Sequence, residues 1–221
     1  PPGIDTVIAP MRWLLEQAAA EAPLTQSGYL AKSLVLDAVG RFEWRQWEKP
    51  PRSEADVRQI GLLREAATAL RLTRRKGRRL LITANGGRLL ADPERLWRAL
   101  ASTLGGTDDF ERMVAELAGL CLLEGPSVDD GLPGALTPIV VAQGWRTPGG
   151  PVSQDDVEWA LNRRWWWWRV LGLLHEERRR WQGDQPIGQN RLALAAAGEA
   201  TVLAYLRARA IAPRFDVIDE V

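Results

Sequence analysis

One arrangement of residues occurs twice in this chain of 221 residues, and it constrains the fold more than any other feature. A Leu-rich helix end runs into a basic stretch, then a short apolar strand, then small residues, then another helix. The first copy is ALRLTRRKGRRLLITANGGRLLAD, residues 69–92. The second is VLGLLHEERRRWQGDQPIGQNRLALAAAGEATVLAY, residues 170–205. Arg79–Gly86 aligns with Arg191–Gly198 without a gap, RLLITANG over RLALAAAG. Apolar spacing that switches from the helical period to short strand-like runs and back reads as helix, ribbon, helix.

A helix, a two-stranded ribbon with a charged tip and a closing helix form the layout of a winged helix. The expected fold is therefore mainly α, with two winged-helix-like units, each carrying a short β hairpin, over residues 1–106 and 107–221. Ile8, Met11, Leu14, Leu15 and Ala18 follow the spacing of an apolar helical stripe over 5–22. A second helix is expected near 30–40, and a loop over 41–53, because Pro50-Pro51 cannot continue a helix. Ser53 with Asp56 is a capping box for a helix over 54–71. Its stripe is Val57, Ile60, Leu63, Ala67 and Leu70. The first ribbon then runs through Leu72–Thr73 and Leu80–Thr83, with Gly77 at its tip. The Gly86-Gly87 pair is assigned to a tight strand-to-helix turn, and Asp92-Pro93 opens the next helix. In the second half, helices are expected near 108–124, 135–143, 154–174 and 196–210. GWRTPGGP (144–151) reads as a turn, Ser153 and Asp156 as a capping box, and 176–194 as the second ribbon with the long tip WQGDQPIGQN. The tail after Pro213 reads as irregular.

Composition excludes several classes. The single cysteine, Cys121, permits no internal disulfide, and with the single histidine, His175, it cannot build a Cys/His metal cluster. Cys121 reads as core filling and His175 as a surface residue. No apolar run approaches the ~18 residues of a membrane span, so no membrane partner is expected. With no visible signal peptide, a cytoplasmic location is the default. The start at Pro1-Pro2-Gly3, without Met, leads to the expectation of a fragment or a processed product. There is no nucleophile elbow and no phosphate-binding Gly loop. The carboxylate pairs Asp108-Asp109, Asp129-Asp130 and Asp155-Asp156 lie at helix starts or in loops, where capping accounts for them. No catalytic residue, metal or cofactor is expected, and the chain reads as a non-enzyme.

The net charge of +1 conceals an asymmetry. Residues 41–90 carry 13 Lys/Arg against 5 Asp/Glu, a net of +8, and residues 101–134 carry 1 against 7, a net of −6. Arg71, Arg74, Arg75, Lys76, Arg78 and Arg79 cluster on the first ribbon. Such a tip can neutralise phosphates of duplex DNA without reading sequence. An acidic protein surface, or the acidic region 108–130 of the same chain, is the competing partner, and a merely solvated hairpin is the third reading. On the preceding helix, Arg58, Arg64, Glu65, Thr68 and Arg71 are expected to be exposed, with Arg64 joining the nucleic-acid-binding set. Sequence-specific reading by that helix is only weakly signalled.

Trp165, Trp166, Trp167 and Trp168 are consecutive, flanked by Arg163, Arg164 and Arg169. Four successive helical residues turn through about 300°, so they cannot all face one core. One or two are expected inside and at least one outside, as a protein interface or a stacking surface. Burial between two layers is the alternative. Trp44 and Trp47 form a second aromatic group, either a related patch or a pin for the loop.

The segment APMRWLLEQ…LTQSGYLAKSLVLDAVG…LLREAATALRLTRRKGRRLLITANGGRLLADPERLWRAL resembles a group of uncharacterised actinobacterial proteins grouped with plasmid-borne open-reading-frame products. The shared pattern falls on Leu24, Thr25, Gly28, Tyr29, Leu30, Leu70, Leu72, Thr83, Leu90, Asp92, Pro93, Leu96 and Trp97. It covers about residues 9–105 well and the second half loosely. The ribbon segments also resemble MarR-type winged-helix domains. Two departures are Asn85-Gly86-Gly87 for a single Gly, and Ala195 where the first copy has Thr83. The resemblance implies no particular activity. Two functions are therefore expected to compete. One is a nucleic-acid-binding or regulatory protein using the basic ribbon on duplex DNA. The other is a protein–protein interaction module or complex subunit with the Trp run as its contact.

Overall fold

The computed structural model describes residues 3–44, 49–128, 131–177, 180–182, 185–187 and 191–211. Trp47, the Asp129-Asp130 pair, parts of the second tip and the tail after Pro213 lie outside the described residues. The chain is mainly α with short antiparallel hairpins. The first half runs α1 (Ile4–Ala19), β1 (Ala22–Pro23), α2 (Lys32–Arg41), a 3-10 turn (Glu54–Asp56), α3 (Arg58–Ala69), β2 (Thr73–Lys76), β3 (Arg79–Ile82), α4 (Ala84–Leu90) and α5 (Pro93–Ala101). The second runs α6 (Asp109–Glu124), β4 (Ser127–Val128), α7 (Leu132–Ala142), β5 (Arg146–Thr147), β6 (Gly150–Pro151), α8 (Gln154–Val170), β7 (Leu174–Glu177), β8 (Arg180–Gln182), β9 (Gln185–Ile187), β10 (Arg191–Leu194) and α9 (Ala196–Ile211).

Without the small hairpins β5–β6 and β8–β9, the 3-10 turn and α5, both halves have the order α-β-α-α-β-β-α. Their sheets repeat as well: β3 lies between β1 and β2, and β10 lies between β4 and β7. The correspondence extends to single hydrogen bonds. Arg71 and Gly172 both take left-handed backbone, φ 55° and 66°. The next residue returns its N–H to the helix it leaves, Leu72 to Ala67 O at 2.7 Å and Leu173 to Trp168 O at 3.0 Å. The carbonyls of Leu72 and Leu173 then accept from Thr83 N and Ala195 N, each at 2.9 Å.

This junction explains the shared glycines differently from the sequence expectation of a turn. Gly86 and Gly198 are helical, in α4 and α9, and neither has positive φ. A Cβ on Gly86 would lie 2.2 Å from Leu72 O, and one on Gly198 would lie 2.1 Å from Leu173 O. The requirement is close approach of helix to strand, not turn conformation. Gly87 meets nothing within 4 Å. In the first copy Thr83 adds a cap: its hydroxyl accepts from Gly86 N at 3.0 Å and donates to Arg71 O at 2.7 Å. Ala195 lacks that group.

One hydrophobic cluster runs through both halves. The stripe of α1 is buried as its spacing requires, with Ile8, Met11, Leu14, Leu15 and Ala18 at or below 1% exposure. Both capping boxes form, but Ser53–Asp56 caps the short 3-10 turn, and the helix proper begins only at Arg58. Helix α4 is an addition to the sequence reading, which had glycines there. The Trp run joins the halves. Trp165, Trp167 and Trp168 are 3%, 4% and 0% exposed. The Trp167 indole N–H donates to Thr103 Oγ1 at 2.9 Å and that of Trp168 to Leu104 O at 3.2 Å, pinning the connection after α5 onto α8. Trp97 on α5 donates to Thr201 Oγ1 on α9 at 2.9 Å. Three of the four consecutive tryptophans thus lie inside the chain, more than the expected one or two, because α8 is packed on several sides by α3, α6 and α7. Trp44 is buried against Phe42, with ring centroids 4.9 Å apart, and pins its loop. Cys121 packs partly buried against the core, where burial and Glu124 push its thiol pKa up. His175 is exposed, on β7. Among the described residues no helix is long and apolar enough to cross a membrane.

Candidate functional site

Strands β2 and β3 are joined by the two-residue loop Gly77-Arg78. Only Gly77 of the pair has positive φ, 59°, the pattern of a type II′ turn with Gly first. The register places Thr73 opposite Ile82, Arg74 opposite Leu81, Arg75 opposite Leu80 and Lys76 opposite Arg79. Alternation then sorts the side chains. Thr73 and Leu80 are buried and mark the core side. Arg74, Lys76 and Arg79 share the other face and are exposed.

The basic residues differ in what holds them. Arg79 forms an ion pair with Glu21. Arg75 Nε donates to Gly77 O at 2.9 Å, and Arg78 Nε donates to Leu24 O at 3.4 Å. Both contacts orient a guanidinium while leaving its charge uncompensated. Arg71 is exposed, in left-handed backbone at the end of α3. Among the described residues Arg71, Arg74, Arg75, Lys76 and Arg78 have no carboxylate within 4.0 Å. Lys76 and Arg79, directly opposed, are like charges on one pair of the ladder, a destabilising placement that the Glu21 carboxylate offsets only at Arg79.

The hairpin and the LTQSGYL loop of residues 24–30 meet. Leu24 N donates to Arg78 O at 2.8 Å, extending the β1–β3 pairing, and the Arg75 guanidinium lies against Gly28. Tyr29, 40% exposed, sits at this edge. The sequence reading assigned no role to Tyr29 or Glu21; only pairing of β1 with β3 brings them to the hairpin.

Arg64 does not belong to this surface. It points inward from α3, where its Nη1 donates to both oxygens of Glu54 at 2.8 Å and to Gly28 O at 3.0 Å. Glu54, 6% exposed, also accepts from Leu30 N at 2.5 Å. The pair is a strut between α3 and the LTQSGYL loop. The other residues expected to be exposed there, Arg58, Glu65, Thr68 and Arg71, are exposed. Leu62, Ala66 and Ala69 line a cleft shared with α8, and the Arg58 guanidinium lies 5.0 Å from the Trp166 ring centroid. Because α8 is the counterpart of α3 in the second repeat, the two equivalent helices pack on each other. Of the Trp run, only Trp166 keeps part of its ring in solvent.

The acidic helix α6 is not the partner of the hairpin. Glu111 pairs with Arg163 and Arg164, each at 3.1 Å, and Glu116 with Arg209 at 2.7 Å. Asp108 caps the helix by accepting from Glu111 N.

Residues 6–95 match the model of a family described as the Y4jL N-terminal domain. That span holds α1 from residue 6 on, α2–α4, the LTQSGYL loop and the whole basic hairpin. No curated protein and no solved structure matches the chain.

Proposed function

We propose that the chain is a non-enzymatic nucleic-acid-binding or regulatory protein, built on two winged-helix-like units (1–106 and 107–221), that grips duplex DNA with the β2–β3 hairpin. The repeated order α-β-α-α-β-β-α supports the fold reading. One observation carries the functional one: among the described residues, five exposed cations on a two-stranded ribbon, with Arg71 just before it, face a single carboxylate, and Lys76 is set directly opposite Arg79. Phosphates are counterions for the cations of this ribbon that have no carboxylate partner among the described residues. Helix α3 packs on α8 but leaves Arg58, Glu65 and Thr68 exposed, a face that signals no particular base. The expected binding is to the backbone, independent of sequence and steep in salt.

The test is fluorescence anisotropy of a labelled random duplex across a salt series. Changing Arg74, Lys76 and Arg78 together to Ala should weaken binding and reduce the slope of log K against log salt by about 2–3. Unchanged affinity and slope would refute the reading. The competing reading, a protein–protein interaction module or complex subunit, has Trp166 in its favour, part-exposed between Arg58 and Arg169. It requires Trp166→Ala to dissolve an assembly visible by light scattering.

A further inference from the structure

The cleft between α3 and α8 has a volume of about 1060 Å³ and is closed at its far side by the start of α6 and the β5–β6 hairpin. That volume is at the upper end of small-molecule sites, which run to ~1,000 Å³. Its walls are aromatic. Phe110 and Trp145 meet at a tilt, with centroids 5.5 Å apart and ring planes inclined at 57°. Trp159 on α8 lines the same cleft and is 57% exposed, unusual for the largest side chain. The Arg163 guanidinium lies 4.9 Å from its ring centroid.

Three cations, Arg146, Arg163 and Arg164, and five carboxylates, Glu65, Asp108, Glu111, Asp155 and Asp156, also line the cleft. Arg163 and Arg164 share one carboxylate, that of Glu111, which is 4% exposed. Arg164 is mostly buried, and desolvation lowers its pKa from the ordinary value. Its Nε is buried and has no acceptor among the described residues. The other carboxylates along the cleft are differently placed. Asp108 and Asp156 accept backbone N–H groups at the starts of α6 and α8. Glu65 and Asp155 are exposed, so solvent screens them. Arg146 adds a further exposed cation at the rim.

We propose that this cleft binds a small aromatic anion, its ring held among Phe110, Trp145 and Trp159 and its carboxylate received by Arg163 and Arg164. Planar rings match the three aromatic walls, and the guanidinium pair supplies charge-assisted donors that Glu111 alone does not saturate. The site is separate from the basic hairpin and does not depend on nucleic-acid binding.

Isothermal titration with naphthalene carboxylate, its neutral carboxamide and the matching naphthyl methylammonium tests the assignment. The carboxylate should bind with a dissociation constant below about 1 mM and about tenfold more tightly than the carboxamide. Trp159→Ala alters an exposed side chain and should weaken all binding about tenfold. Arg163→Gln, at a half-exposed position, should abolish the preference for carboxylate over carboxamide. Circular dichroism confirms that each variant is folded. Tighter binding of the ammonium, equal binding of carboxylate and carboxamide, indifference to both substitutions, or no binding by the folded protein would each overturn the proposal.

Discussion

Replacing Arg64 with Ala separates a strut from a ligand contact. The Glu54 carboxylate is 6% exposed and takes two bonds of 2.8 Å from Arg64 Nη1. Without Arg64 it remains buried, with only Leu30 N as donor in the described contacts. Orphaning one member of a buried ion pair costs ~3–5 kcal/mol. Arg64 itself is 22% exposed, so water reaches part of the vacated space and the lower end, about 3 kcal/mol, applies. For a chain of this size that is a fall in melting temperature of roughly 6–12 °C. Adding Glu54→Gln keeps an acceptor for Leu30 N but removes the orphaned charge, and should restore about half of the loss. Thermal melts by circular dichroism measure both. A shift of less than about 2 °C for Arg64→Ala, with loss of duplex binding, would refute this reasoning and return Arg64 to the nucleic-acid set.

Three glycines make a matched set: Gly86→Ala and Gly198→Ala, whose Cβ atoms would sit 2.2 and 2.1 Å from backbone oxygens, should each cost about 2 kcal/mol or more, whereas Gly87→Ala should stabilise by ~0.4–1 kcal/mol in urea titrations. Thr201→Val keeps the shape of a fully buried residue but removes the acceptor of the Trp97 indole, and denaturant midpoints should report a loss of ~1–3 kcal/mol. The Ser153 hydroxyl and backbone N–H hold the Asp156 carboxylate below its usual pKa. A folded-state pKa below the unfolded one stabilises above about pH 4, and the contribution is lost as pH falls through the lowered value. Wild type and Asp156→Asn should therefore differ in stability at neutral pH and converge on acidification; a constant gap would contradict the capping role.

What was legible in the residues is local. Helical stripes, the capping boxes at Ser53 and Ser153, the Asp92-Pro93 start and the hairpin around Gly77 all depend on interactions a few residues apart. Spacing alone reports such interactions. The duplication was legible too, because Leu72 and Leu173 impose the same steric demand on Gly86 and Gly198. Helix α4 escaped because glycines disfavour helix, and here the Thr83 cap and close packing on Leu72 outweigh propensity. The destination of each long polar side chain was decided only in three dimensions. A helical pattern cannot tell an Arg that points to solvent from one that meets a carboxylate ten residues earlier, so Arg64 looked like a binding residue. Nor could the Trp run disclose that its partners are Thr103 and Leu104, 64 residues away. The aromatic cleft draws on α3, the start of α6, the β5–β6 hairpin and α8, and arises only when the two repeats press their equivalent helices together. Periodicity records which face is apolar; which surface covers that face depends on how the whole chain closes.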